Sequence, residues 1–302
     1  MLMNMRDKAL LLKGLIAFAV ILVVGLCVGT FMDLSVAQAI KSEGNPIAIV
    51  ISTVGLFPLA APVVVMLGAL AQRSIASSRP PIARMGLAAL CVALGCFTSY
   101  LAVKGFPELD GVRRLPFSNI PSTALIVAGV LLGLVLAFVG YSLAKKNDDA
   151  ELVRNLLTAV VFLVVSFLVV EVIKNFMHRP RFNAIALGYE GVTFQPWYQP
   201  FSGYAELMTR YELPGDAFKS FPSGHSINAA SVIGCFYGLA ALIPSLRSKW
   251  RLALVLEFVV ALSIMISRMV MGAHFLTDVS VGALVAVVAS IILVVRVKPS
   301  QE

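Results

Sequence analysis

Long apolar stretches separated by short polar ones set the pattern of this chain. They cover residues 14–32, 48–72, 84–104, 122–144, 154–174, 222–245, 251–272 and 275–296. About 20 apolar residues in a helix cross some 30 Å of hydrocarbon, so the pattern predicts eight spans. The expected fold class is all-α, a polytopic transmembrane helix bundle. The run at 48–72 is the least regular, because Pro58 and Pro62 interrupt it, although membrane helices tolerate proline. No internal repeat, low-complexity tract or soluble domain stands out. The longest polar stretch, 175–221, holds Trp197, Tyr198, Phe201, Tyr204 and Tyr211. Such aromatics suit the headgroup layer of a membrane, and they suit equally a loop that packs on itself.

Composition agrees with a membrane protein. Apolar residues make up 59% of the chain and charged ones 13%, against roughly 45–50% and 25% in soluble domains. The net charge of +8 raises the question of nucleic acid, but the basic residues form no single stripe and no nucleic-acid partner is expected. They collect instead in short loops. Arg73, Arg79 and Arg84 form one group, Lys145, Lys146 and Arg154 another, and Arg247, Lys249 and Arg251 a third, with Arg296 and Lys298 in the tail. The alternate loops ahead of residue 175 hold only Lys41, Lys104, Arg113 and Arg114. The positive-inside rule then puts both termini in the cytoplasm. A basic start (Arg6, Lys8, Lys13) before the first run, and Ala37-Gln38-Ala39 after it, mimic a secretory signal. The run exceeds the 7–15 apolar residues of such signals, so an uncleaved helix is expected. Cys27, Cys91, Cys96 and Cys235 all lie in apolar runs without metal-ligand spacing and read as small buried hydrophobes.

The candidate chemistry sits in three polar clusters, which together contain all three histidines. The middle one is Phe221-Pro222-Ser223-Gly224-His225. Pro222 suits a helix start, and the amides of Ser223, Gly224 and His225 would then face an anion. Downstream, Arg268 ends one span and His274 and Asp278 begin the next. Four residues apart on one helix face, Asp278 can hold one ring nitrogen of His274 and free the other. An aspartate within a span is costly, and a functional partner is its default explanation. Upstream, Lys174 ends a span, with Glu171 one turn before it and Arg181 beyond it. The orientation above brings all three clusters to the outer face. Three converging cations, Lys174, Arg181 and Arg268, would repel one another unless an anion such as phosphate lay between them.

Lys174-x6-Arg181, Pro222-Ser223-Gly224-His225 and Ser267-Arg268-x5-His274-x3-Asp278 resemble the three-part signature of the type 2 phosphatidic acid phosphatase (PAP2) superfamily. The resemblance implies a six-helix catalytic core from about residue 84 (84–302, with the loop 175–221 contributing to the site), preceded by two extra helices (1–83). It implies a lipid phosphatase of the outer face that needs no metal or other cofactor, with undecaprenyl pyrophosphate, phosphatidic acid or phosphatidylglycerophosphate as substrate. His274 would attack phosphorus and form a phosphohistidine, Asp278 would orient it, and His225 would protonate the leaving oxygen and then activate water. Lys174, Arg181, Ser223, Gly224 and Arg268 would bind the phosphoryl oxygens. One position departs from the signature: Phe182 stands where proline normally follows the arginine, which predicts a less rigid loop exit. His178 and Arg179 lie outside the signature, as substrate-headgroup contacts or as part of a solvated loop.

Two alternatives stay open. A lipid phosphotransferase would use the same intermediate with a hydroxyl in place of water. An anion transporter would use Asp278, Glu257 and Glu171 as a relay, though the sequence displays no broken helix pair. Glu257 alone reads as a helix-packing hydrogen-bonding group.

Overall fold

The computed structural model describes residues 4–42, 44–105 and 120–296. Arg113, Arg114 and Lys298, used above for orientation, lie outside them. No strand occurs among the described residues. Helix α1 runs Met5–Ile40, α2 Pro46–Val54, α3 Phe57–Ile75, α4 Pro81–Lys104, α5 Ser122–Lys145 and α6 Leu152–Met177. The short α7 (Phe182–Ile185) and α8 (Tyr204–Arg210) follow, then α9 (Gly224–Ala229), α10 (Val232–Leu242), α11 (Trp250–Val270) and α12 (Leu276–Arg296). Taking α2 with α3, and α9 with α10, as one crossing each, eight helical units among the described residues are long and apolar enough to cross a membrane.

Two of the crossings are broken, for different reasons. Between α2 and α3 the turn precedes Pro58, whose ring clashes with the carbonyl four residues back and removes a donor. Pro62, by contrast, sits inside α3. Between α9 and α10 neither proline nor glycine intervenes. Glu257, fully buried on α11, instead accepts a hydrogen bond from the Ile233 amide at 2.8 Å. Its carboxylate takes over a donor at the start of α10. Glu257 thus packs helices, as the sequence reading held, and it does so at a break which that reading did not foresee.

Packing follows the apolar periodicity. On α1, Leu11, Leu15, Phe18, Leu22, Gly29, Asp33 and Ala37 are buried, one face at spacings of three, four and seven that lies along α12 and α11. The opposite face exposes Ile16, Val20, Val24 and Phe31, apolar side chains that suit lipid rather than water. Helix α2 rests on α11, whereas α3 packs against α4, α5, α6 and α10. The backbones approach closely there. A Cβ on Gly133 of α5 would lie 2.7 Å from the Cys96 Cα of α4, so only glycine fits, as is common where membrane helices touch. Cys27 is exposed, Cys91 and Cys96 are half-buried and Cys235 is buried, so the expectation of four buried cysteines holds only at Cys235.

The polar stretch after α6 forms a cap with its own small core of Ala184, Val192, Leu207, Leu213 and Phe218. Its aromatics mostly pack on it: Tyr211 stacks on Tyr189 at 4.4 Å and Phe201 on Phe218 at 5.8 Å. Trp197 donates its indole N–H to Thr30 Oγ1 of α1 at 3.0 Å. Tyr198 remains exposed. Of the two readings of this loop, packing on itself describes most of the rings.

Candidate active site

The cap and the ends of α6, α9, α11 and α12 enclose a cavity of about 270 Å³. Lys174, Arg181, Gly224, His225, Arg268 and His274 all line it, so residues from three separate sequence clusters meet at one point. Lys219, Asp216 and Asn228 join them, as do the apolar Leu56 and Phe167. None of these five was singled out from sequence. Lys219 lies two residues before Phe221-Pro222, next to the middle polar cluster. Counting Glu171, also at the wall, four cations face two carboxylates, so the chamber favours an anion.

Each side chain is held by local geometry. Lys174, in the last turn of α6, donates to Glu171 Oε1 at 2.8 Å. Arg181 follows Pro180, and its backbone amide donates to the Ala217 carbonyl at 2.8 Å. Phe182, where the family signature has proline, is buried edge-on to Phe275 at 6.1 Å. Packing therefore fixes an exit for which the sequence predicted looseness. Ser223 caps α9 by accepting from the Ser226 amide at 3.3 Å. Its own amide donates to the Asp278 carbonyl at 3.0 Å, and it is fully buried. Only Gly224 and His225 of that tripeptide line the cavity, which corrects the expectation of three amides pointing into an anion site. A Cβ at Gly224 would come within 3.0 Å of Lys174 Nζ, so glycine keeps the backbone near the cation.

The turn between α11 and α12 carries His274. Gly272 adopts a positive φ of 66° just past the end of α11, the left-handed position that glycine fills at helix ends. His274 therefore precedes α12 instead of lying on it, and the expected helix face shared with Asp278 does not arise. Its Nδ1 donates to the Ser220 carbonyl at 2.7 Å and stands 3.8 Å from Asp278 Oδ2. A carbonyl can only accept, so Nδ1 holds the proton and Nε2 keeps its lone pair. Burial is the main reason that the His274 imidazole is held at a pKa of about 3; the nearby Asp278 carboxylate works against it, and the charges of Arg181 and Arg268 reinforce it.

Asp278 lies behind His274 and is fully buried. Its Oδ2 accepts from the Phe275 amide at 2.7 Å and from the Ser220 hydroxyl, and its Oδ1 from Arg179. The bond back to Phe275 is half of a capping box for α12. Arg179 is buried completely. It is neither a headgroup contact nor part of a solvated loop, because its guanidinium is turned inward onto carboxylates. His178 ends α6 with a positive φ of 45° and stacks on Tyr204 at 3.6 Å. It does not line the cavity. Sequence reasoning also passed over Asp33, which lies just past the first apolar run.

Comparison with known proteins follows the same residues. The model of the PAP2 superfamily matches residues 155–301. A 64-residue stretch is 42% identical to "Phosphatidylglycerophosphatase B" of Bacillus subtilis (strain 168), covering 21% of this chain and 32% of that relative. The chain thus aligns with about a third of the relative's length. No solved structure matches.

Proposed function

We propose, from the match of residues 155–301 to the PAP2 superfamily, that this chain is an integral-membrane lipid phosphatase working through a phosphohistidine. In this reading 84–302 is the catalytic part, with the loop 175–221 contributing to the site, and 1–83 buttresses it. The observation that carries the reading is His274, protonated on Nδ1 by its bond to Ser220, in one cavity with His225 and four cations.

His274 Nε2 attacks phosphorus as the bond to the leaving oxygen breaks, and His225 gives that oxygen its proton. The lipid alcohol or monophosphate departs. Water then attacks the phosphohistidine, His225 accepts its proton, and inorganic phosphate leaves with His274 restored. Lys174, Arg181, Arg268 and the Gly224 amide hold the phosphoryl oxygens, with Ser223 supporting them from behind. They supply the charge stabilisation that metal ions give in other phosphoryl transfers. The substrate is a phosphomonoester or diphosphate on a lipid. Phosphatidylglycerophosphate leads, since the relative is named for it, and phosphatidic acid and undecaprenyl pyrophosphate are the other candidates. The cavity opens at the extracytoplasmic face of a cell membrane, with both termini inside.

The test is phosphate release by purified protein in detergent with EDTA present, on those three lipids and on glucose 6-phosphate. A lipid substrate should react and His274→Ala should lose at least about 10³-fold in kcat. It should also lose the acid-labile phosphoenzyme trapped by rapid quench. Turnover that survives His274→Ala would sink the reading, and product that forms only with an added alcohol acceptor would mean a phosphotransferase.

A further inference from the structure

Arg179 has a full set of partners, and none of them is substrate. The Phe275 and Phe194 rings lie at 4.3 and 5.3 Å from its guanidinium carbon. Its Nε donates to the Gln195 carbonyl at 2.8 Å. Nη1 donates to Thr277 Oγ1 at 2.8 Å and to Asp278 Oδ1. Nη2 donates to Asp33 Oδ2 at 2.9 Å. Asp33 belongs to α1, 146 residues away and outside the stretch that the family model covers. Its carboxylate is buried and also accepts from the Thr277 amide at 3.0 Å and from the Thr277 hydroxyl.

A guanidinium bonded to Asp278 alone would form a neutral pair and leave little negative field at His274. Shared between two ionised carboxylates, the same guanidinium leaves one net negative charge on the Asp278–Arg179–Asp33 trio behind the nucleophile. That charge matters when His274 bonds to phosphorus, because the ring, still protonated on Nδ1, becomes cationic. The Thr277 bonds serve a second purpose, since they fasten α1 to the first turn of α12, the helix that carries Asp278. Gly29, one turn before Asp33, permits the approach: a Cβ there would stand 2.7 Å from Thr277 Cγ2 and 2.8 Å from Asp33 Oδ1.

We propose that Asp33 is a positioning residue for His274, acting through Arg179 and Asp278, so that the first helix completes the catalytic unit. The inference rests on the phosphatase reading above for its kinetic arm only. The experiment pairs kinetics with NMR of [15N]histidine-labelled protein, which is tractable because the chain has three histidines. His274→Ala assigns the His274 signals. Asp33→Asn should lower kcat about 10- to 100-fold, the range for removing an outer partner of a functional histidine. KM should stay within about threefold. The His274 Nδ1–H resonance should shift or a second tautomer appear. Asp33→Glu, which keeps the charge, should restore part of kcat. A monodisperse Asp33→Asn protein with wild-type kcat and unchanged His274 signals would overturn the proposal, as would a change confined to KM. Should Asp33→Asn not fold, the near-isosteric Thr277→Val makes the same comparison, with the same two results deciding it. If the wild type releases no phosphate, the phosphatase reading has failed, and the His274 resonances still decide whether Asp33 governs that ring.

Discussion

As the proposed nucleophile, His274 must be shielded from bulk water and neutral enough to attack. The fold meets both by the same means. Burial holds its pKa at about 3, well under the usual histidine value near 6.5, and the Ser220 carbonyl keeps the remaining proton on Nδ1. The sign follows directly. A depressed pKa means that the neutral form persists as pH falls, and protonation competes only near pH 3. The bell-shaped profile expected of an acid–base pair should therefore lack its acid limb over the ordinary range. We expect kcat/KM to show no acid limb above about pH 4 and to fall with rising pH as the proposed general acid, His225, loses its proton. An acid limb near pH 6.5 that is absent in a histidine-free reference reaction would show that His274 titrates normally. Much of this site was legible residue by residue. Lys174, Arg181, Gly224, His225, Arg268 and His274 were found because each falls in a short polar cluster within apolar sequence. Arg179 and Asp33 were not read correctly, because an ion pair between residues 146 apart leaves no local pattern. Ser223, read as a phosphate ligand, is buried as the cap of α9, which occupies the same hydroxyl.

Among the elements, the positions of the eight crossings were legible because hydrocarbon thickness fixes their length, and their breaks were not. A proline announces the interruption before α3, but the break ahead of α10 depends on a glutamate of another helix reaching an amide. The junction between α9 and α12 is likewise tertiary. Gly282 of α12 lies directly under the start of α9, and a Cβ there would overlap the Ser223 carbonyl oxygen. That atom belongs to backbone and cannot move aside as a flexible side chain can. Gly282→Ala should therefore push α9 away from α12, displacing His225 from His274. We expect a stability loss of about 1–3 kcal/mol, the usual range for overpacking, and a fall in kcat of about 10-fold or more, since misplacement of about 1 Å can cost 10²-fold. Thermal unfolding in detergent, beside kcat, checks both. A protein of wild-type stability and rate would mean that the two helices can separate without consequence. Gly224→Ala is the gentler companion, because its new methyl meets only side-chain ends, Lys174 Nζ at 3.0 Å and Glu171 Oε1 at 3.8 Å.

For the whole molecule, orientation follows from which loops share an end. Arg73 donates to the Asn147 carbonyl, Asn147 donates to the carbonyls of Ala241 and Leu242 at 3.0 Å, and Arg247 pairs with Asp149 at 3.0 Å. The three basic loops therefore converge at one end of the bundle. Helix α6 begins at that end with Leu152 and finishes at the cavity with Lys174 and Met177, so a single crossing separates the basic cluster from the catalytic chamber. By the positive-inside rule we propose that this basic end is cytoplasmic and that the chamber lies outside, where lipid headgroups of the outer leaflet reach it. With Cys27, Cys91, Cys96 and Cys235 replaced, a single cysteine at exposed Ser248 or at exposed Ser202 reports on the two ends separately. A membrane-impermeant maleimide applied to intact cells should label position 202 and leave 248 unlabelled until the membrane is opened. The opposite result would put the chamber in the cytoplasm. The geometry of the site would stand unchanged, but its substrate would then have to be a lipid of the inner leaflet.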